Sequence, residues 1–140
     1  MITGFQITVD ADNPPALARF WQVAMDYVEE PPPPGFATWA EFAAANSIPD
    51  EQLDNYGSAI DPDGNGPRML FLKVPEGKTA KNRMHLDLHV GDLETHVERL
   101  VGAGATKVET RSEMGITWTV MNDPEGNEFC VAQAPEHDPS

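Results

Sequence analysis

The chain has 140 residues, nine of them basic and 23 acidic, for a formal net charge of −14. That length makes one ordinary domain able to bury a core, and the charge repels phosphate backbones and anionic lipid, so neither nucleic acid nor a membrane surface is an expected partner. Cys130 is the only cysteine, which excludes an intramolecular disulfide and suits a reducing compartment.

The segment Met1 to Phe5 carries no basic leader followed by an apolar run, so no signal peptide is expected. No apolar stretch approaches the roughly 20 residues of a membrane-spanning helix. A cytoplasmic protein is the expectation.

In chain order, Phe5-Gln6-Ile7-Thr8-Val9 alternates as a strand does, with Phe5, Ile7 and Val9 on one face. Asn13 followed by Pro14 reads as a helix cap and first turn, and Leu17, Phe20, Trp21 and Ala24 form the apolar stripe of a helix that runs out near Asp26. Tyr27-Val28 is a short extended segment stopped by Pro31 to Pro34. Thr38 to Ala45 favours a short helix, and Pro49 to Leu53 a second. Gly57 to Ile60 returns to strand, Asp61 to Gly66 is a turn, and Met69 to Val74 is an apolar strand. The connector from Pro75 to Asn82, with Lys73, Lys78, Lys81 and Arg83 in or beside it, reads as a solvated linker.

The most informative stretch follows. In Arg83 to Val90, Leu86, Leu88 and Val90 alternate with His85, Asp87 and His89, so a half-buried strand is predicted to align two imidazoles and a carboxylate on its open face. At about 3.3 Å per residue, His85 and His89 are some 13 Å apart and cannot share an ion, whereas His85 and Asp87 can converge on one ion or one water. An Asp beside a His can also orient the imidazole as a general base, so His85 and Asp87 are candidate catalytic residues; the bland alternative is a hydrogen-bonded polar pair. Asp92 caps the next helix, striped by Leu93, Val97, Leu100 and Val101 and ended by Gly102 and Gly104. Strands at Ala105 to Thr110 and Ile116 to Met121 flank a turn at Ser112 to Gly115. After a turn at Asp123 to Asn127, a last strand spans Phe129 to Ala132, and the tail from Pro135 is expected to fray. His96 and His137 read as surface residues.

This order repeats. Laying Val9 on Val90 puts Thr8 on His89, Gln6 on Asp87 and Gly4 on His85, and matches the turn at Asp61 with the turn at Asp123. The first interval between strand and turn is 19 residues longer than the second, about the length of the Trp39-containing helical segment, which is therefore an insertion.

The repeated strand-helix-strand-strand-strand unit, with Asn82-Arg83-Met84-His85-Leu86-Asp87-Leu88, Gly102-Ala103-Gly104-Ala105 and Asp123-Pro124-Glu125-Gly126-Asn127-Glu128-Phe129-Cys130, resembles the vicinal oxygen chelate superfamily of glyoxalases, bleomycin-resistance proteins and extradiol dioxygenases, and most closely its bacterial glyoxalase-like domains. The resemblance implies an α+β fold. Two tandem βαβββ modules would form a cup-shaped mixed sheet with helices on the convex side, in a single glyoxalase-like domain over 1–140. Module one would span about 3–75, with the insertion at about 36–55, and module two about 83–133.

The resemblance also implies ligand positions for a divalent metal, one on the first and one on the last strand of each module. His85 matches one. Its first-module partner falls on Gly4, with Gln6 available only through a register shift, and the last-strand glutamate falls on Cys130, with Glu128 two residues earlier. No metal cofactor is therefore expected; if one binds, His85, Cys130 and Asp87 are the candidate ligands. The expected function is binding of a small molecule in the cup by Gln6, Thr8, His89, Trp39, Trp118 and Glu128 beside His85 and Asp87, with the insertion's aromatics as one wall of an apolar pocket. Trp118 faces either that cup or the helix layer. Two alternatives stay open: a metal-dependent lyase, isomerase or dioxygenase centred on His85, and a resistance protein that sequesters an antibiotic. A homodimer is implied by resemblance alone.

Overall fold

The computed structural model describes residues 1–134, so the expected frayed tail and His137 lie outside the described residues. The chain divides into two compact units, the first Met1–Gly77 and the second beginning at Lys78. Among the described residues, no helix is long and apolar enough to cross a membrane.

The first unit begins with β1 (Ile7–Ala11) and α1 (Pro14–Met25). Asn13 caps α1 by accepting from Ala16 N, and Leu17, Ala18, Phe20, Trp21 and Ala24 are buried beneath it, as the stripe requires. Phe5 lies outside β1 and is exposed, so the strand starts two residues later than its alternation suggested. Helices α2 (Trp39–Ala45), capped by Thr38, and α3 (Asp50–Leu53) make up the insertion. Strands β2 (Tyr56–Ala59) and β3 (Met69–Lys73) complete a three-stranded sheet of order β1-β3-β2, with β1 parallel and β2 antiparallel to β3. Met69 and Phe71 are fully buried.

The second unit contains β4 (Asp87–Val90), α4 (Leu93–Gly102), β5 (Thr106–Glu113), β6 (Ile116–Asn122) and β7 (Glu128–Gln133), with sheet order β4-β7-β6-β5. β4 is half the predicted length: residues 83 to 86 precede the ladder, although Leu86 O still accepts from Cys130 N at 2.9 Å. On α4 the stripe holds for Leu93, Val97 and Leu100, while Val101 is exposed at the rim. The hairpin between β5 and β6 is tighter than expected, turning at Met114 and Gly115, both with positive φ as a type I′ turn demands.

The two modules share one architecture, and the structure fixes its register. Asn13 and Asp92 both cap helices, and Pro14, Ala18 and Trp21 on α1 occupy the places of Leu93, Val97 and Leu100 on α4. In this register Gln6, not Gly4, corresponds to His85, and Thr8 corresponds to Asp87. The predicted alignment of Val9 with Val90 is off by two because strand alternation does not distinguish a slip of two residues, whereas the helix caps do.

One strand does not repeat. The module-one counterpart of β5 is a single bridge, Val28 to Ile60. Pro31 to Pro34 follow at once, and proline can neither donate to a ladder nor extend one.

Candidate functional site in the second module

Register places the candidate residues on faces. Asp87 pairs with Cys130 and Cys130 with Val120; His89 pairs with Ala132, Ala132 with Trp118, and Trp118 with Arg111. Directly paired residues share a face. Leu88, Val131 and Met121 point the other way and are buried on the side that also takes Leu93, Val97 and Leu100 of α4. Trp118 therefore lies on the open face with Asp87 and Cys130, which resolves the two orientations left open by the sequence.

On that face three side chains converge. His85 Nε2 lies 3.4 Å from Asp87 Oδ1, and one ligand atom each from His85, Asp87 and Cys130 lies within 4.8 Å of the others. Both His85 and Asp87 are about half exposed. Burial pushes the Cys130 thiol above the ordinary range, and the neighbouring Asp87 carboxylate adds to this; Lys81 and Arg111 pull in the opposite direction. Asp87 thus lies between a thiol whose pKa it helps to raise and the His85 imidazole. His89 sits on the same face, exposed, but is not one of the converging three.

Glu128 has another task. Its carboxylate accepts from Asn82 N at 3.1 Å and pairs with Lys78 at 3.1 Å, while Asn82 Nδ2 donates to Glu128 O. Burial alone would raise its carboxyl, but the backbone N–H groups of Glu128 and Asn82, together with the Lys78 ammonium, outweigh it and hold the pKa below the usual range. The Pro75–Asn82 connector is therefore anchored at Lys78 and Asn82 rather than simply solvated. His96, expected as a plain surface residue, is half-buried on α4, with Nε2 lacking a hydrogen-bond partner among the described residues.

In the first module, Gln6 and Thr8 face away from α1. Gln6 Nε2 donates to Thr8 Oγ1 at 3.3 Å, and Gln6 Oε1 accepts from Arg68 Nη1 at 3.2 Å. Arg68 in turn grips Glu30 through Nε at 2.8 Å and Nη2 at 2.6 Å. Sequence reasoning missed this Glu30–Arg68–Gln6 chain, since 38 and 62 residues separate its partners. Trp39 heads α2, donates Nε1 to Glu30 O at 2.9 Å, and meets Phe42 edge-on at 5.6 Å.

The donor set bears on the metal question. Imidazole, thiolate and carboxylate together suit a borderline ion such as zinc rather than a hard one, and His85, Asp87 and Cys130 are close enough to converge on it. The module-one positions that match His85 and Cys130 hold Gln6 and Leu70, and leucine has no donor atom.

A family model described as a glyoxalase-like domain matches residues 6–132. The chain belongs to the glyoxalase-like family. Its modules are those of the vicinal oxygen chelate superfamily, and solved glyoxalase-like structures share the fold. It is similar to a glyoxalase/bleomycin resistance protein/dioxygenase family enzyme from Burkholderia phytofirmans (13% identity, 93% of this chain and 97% of that one, TM-score 0.65). It is also similar to the fosfomycin resistance protein FosX from Listeria monocytogenes, solved as a variant complexed with Mn(II) and 1S,2S-dihydroxypropylphosphonic acid (12% identity, 97% and 95%, TM-score 0.68). A third is a domain of the same broad family from Frankia (15% identity, 99% and 96%, TM-score 0.59). At these identities the likeness is one of fold. No curated protein matches the chain.

Proposed function

We propose that this glyoxalase-like protein binds a small molecule of mixed polarity on the open face of its second sheet, without the divalent metal of its metal-dependent relatives. The observation that carries the reading is the convergence of Cys130, Asp87 and His85, whose ligand atoms lie within 4.8 Å of one another, with the thiol's pKa raised by burial and by the neighbouring carboxylate. Such a group offers a donor, an acceptor and a group of either kind side by side, and Trp118 supplies a stacking surface. Gln6 and Thr8 form the corresponding hydrogen-bonding pair at the start of β1. His85, aligned by Asp87, is the group to act as a base if the ligand is also transformed.

A thermal-shift screen of metabolite-sized hydroxylated and carbonyl compounds, run with chelator throughout, tests this. Expected is a ligand that raises the melting temperature equally with and without chelator and loses its effect in His85→Ala and Trp118→Ala. Stabilisation seen only with added metal would sink the reading.

A second reading is favoured by the convergence of three donor atoms: a zinc-class ion held by His85, Asp87 and Cys130. When bound, it would polarise a carbonyl or acidify a water. Holding it requires the Cys130 proton to leave, against the burial that retains it. The thiol fits Mn(II), named in the FosX complex, less well still.

A further inference from the structure

The strand missing from module one leaves a second site, within the first unit. In module two, β6 is paired along its outer edge by the eight-residue β5. In module one the same edge of β2 is bridged at Ile60 alone, and the insertion occupies the space beside it. There α1, α2, α3, β2 and β3 enclose a cleft of about 680 Å³, within the range of small-molecule sites.

Its apolar wall consists of Trp39, Phe42, Ile48, Leu53 and Leu70, all half-buried. The wall is pre-organised. Trp39 is pinned by its Nε1 bond to Glu30 O, and Phe42 is held edge-on between Trp39 and Phe36, at 5.6 and 5.4 Å. The edge of β2 is also tended, since Ser58 O accepts from Gln22 Nε2 at 2.9 Å and Ser58 Oγ accepts from Glu30 N at 3.1 Å. Remaining backbone demand is therefore small, and the cleft offers chiefly aromatic and aliphatic surface.

The charges at its rim select the ligand's sign. Glu30 and Arg68 neutralise each other. That leaves Glu29 and Asp54 against Arg19, a net negative rim on a chain of charge −14.

We propose that this cleft binds a planar aromatic cation, its ring against Trp39 and Phe42 and its charge toward Glu29 and Asp54. The probe is 9-aminoacridine, titrated into the full chain by calorimetry, with anthracene-9-carboxylate as the anion of matching ring shape. Expected is saturable 1:1 binding of the cation and none of the anion in the same range. Trp39→Ala should weaken cation binding by about tenfold, and the exposed pair Glu29→Gln/Asp54→Asn, which leaves the wall intact, by several-fold with a flatter salt dependence. His85→Ala should leave it unchanged, which separates this site from the open face of the second module. Equal binding of the anion, indifference to the Glu29/Asp54 pair, or loss of binding in His85→Ala would each overturn the proposal.

Discussion

Asp87 and Cys130 are direct partners across the β4–β7 ladder, and their ligand atoms lie within 4.8 Å of each other and of His85. The carboxylate's charge therefore adds to burial in holding the thiol's pKa above its ordinary range.

The thiol should report on its neighbour. Burial and then Asp87 raise the Cys130 pKa, so alkylation by iodoacetamide at mildly alkaline pH is expected to be slow. Asp87→Asn should quicken it several-fold by removing the carboxylate's charge. An unchanged rate would mean that burial alone protects the thiol.

Glu128 should contribute to stability in a pH-dependent way. Its folded pKa lies below the ordinary 4.5, so the stabilisation is present above that value and is lost as pH falls through the folded pKa. Glu128→Gln is expected to cost about 1 kcal/mol near neutrality, in line with a partly exposed ion pair reinforced by hydrogen bonds. Urea unfolding of both proteins at neutral and at acid pH, well below 4.5, should show the gap closing.

Gly57 is a packing requirement. A Cβ there would meet Pro14 O at 2.4 Å and Ala18 Cβ at 2.8 Å, so α1 would have to move off the sheet. Gly57→Ala should destabilise by about 2–3 kcal/mol. Chemical denaturation would measure it, and a cost near zero would mean that the helix shifts freely.

Met114 is the opposite case, a non-glycine residue at φ +50° in a two-residue hairpin, with an exposed side chain. Asparagine tolerates left-handed backbone and favours this turn, so Met114→Asn should stabilise the second module by about 0.5 kcal/mol. A lowered melting temperature would show that the methionine makes contacts of its own.

Local signals in the sequence were dependable because they act over a few residues. Asn13, Thr38 and Asp92 each cap a helix with the side-chain bond their chemistry predicts, and Asp61 and Asp123 each collect backbone N–H groups in their turns. The convergence of His85 and Asp87 followed from strand periodicity, and Cys130 joined them through the resemblance. Register across the repeat was harder. Val9 and Val90 look equivalent, yet the helix caps set Gln6 against His85, because strand alternation is blind to a slip of two. The loss of the strand at Val28 and the edge cleft it opens were also hidden, since they depend on what fails to pair with Tyr56 to Ala59. From the sequence Glu128 reads as a ligand-binding residue, because its partners, Lys78 and Asn82, lie 50 and 46 residues away in a loop without a pattern.

Elemental analysis of the purified, untagged protein, before and after chelator and beside His85→Ala, tests the central claim most directly. The expected result is substoichiometric metal in every sample and the same melting temperature before and after chelation. Near-stoichiometric zinc, nickel or iron that disappears in His85→Ala would contradict it, and would make the His85–Asp87–Cys130 group a metal centre.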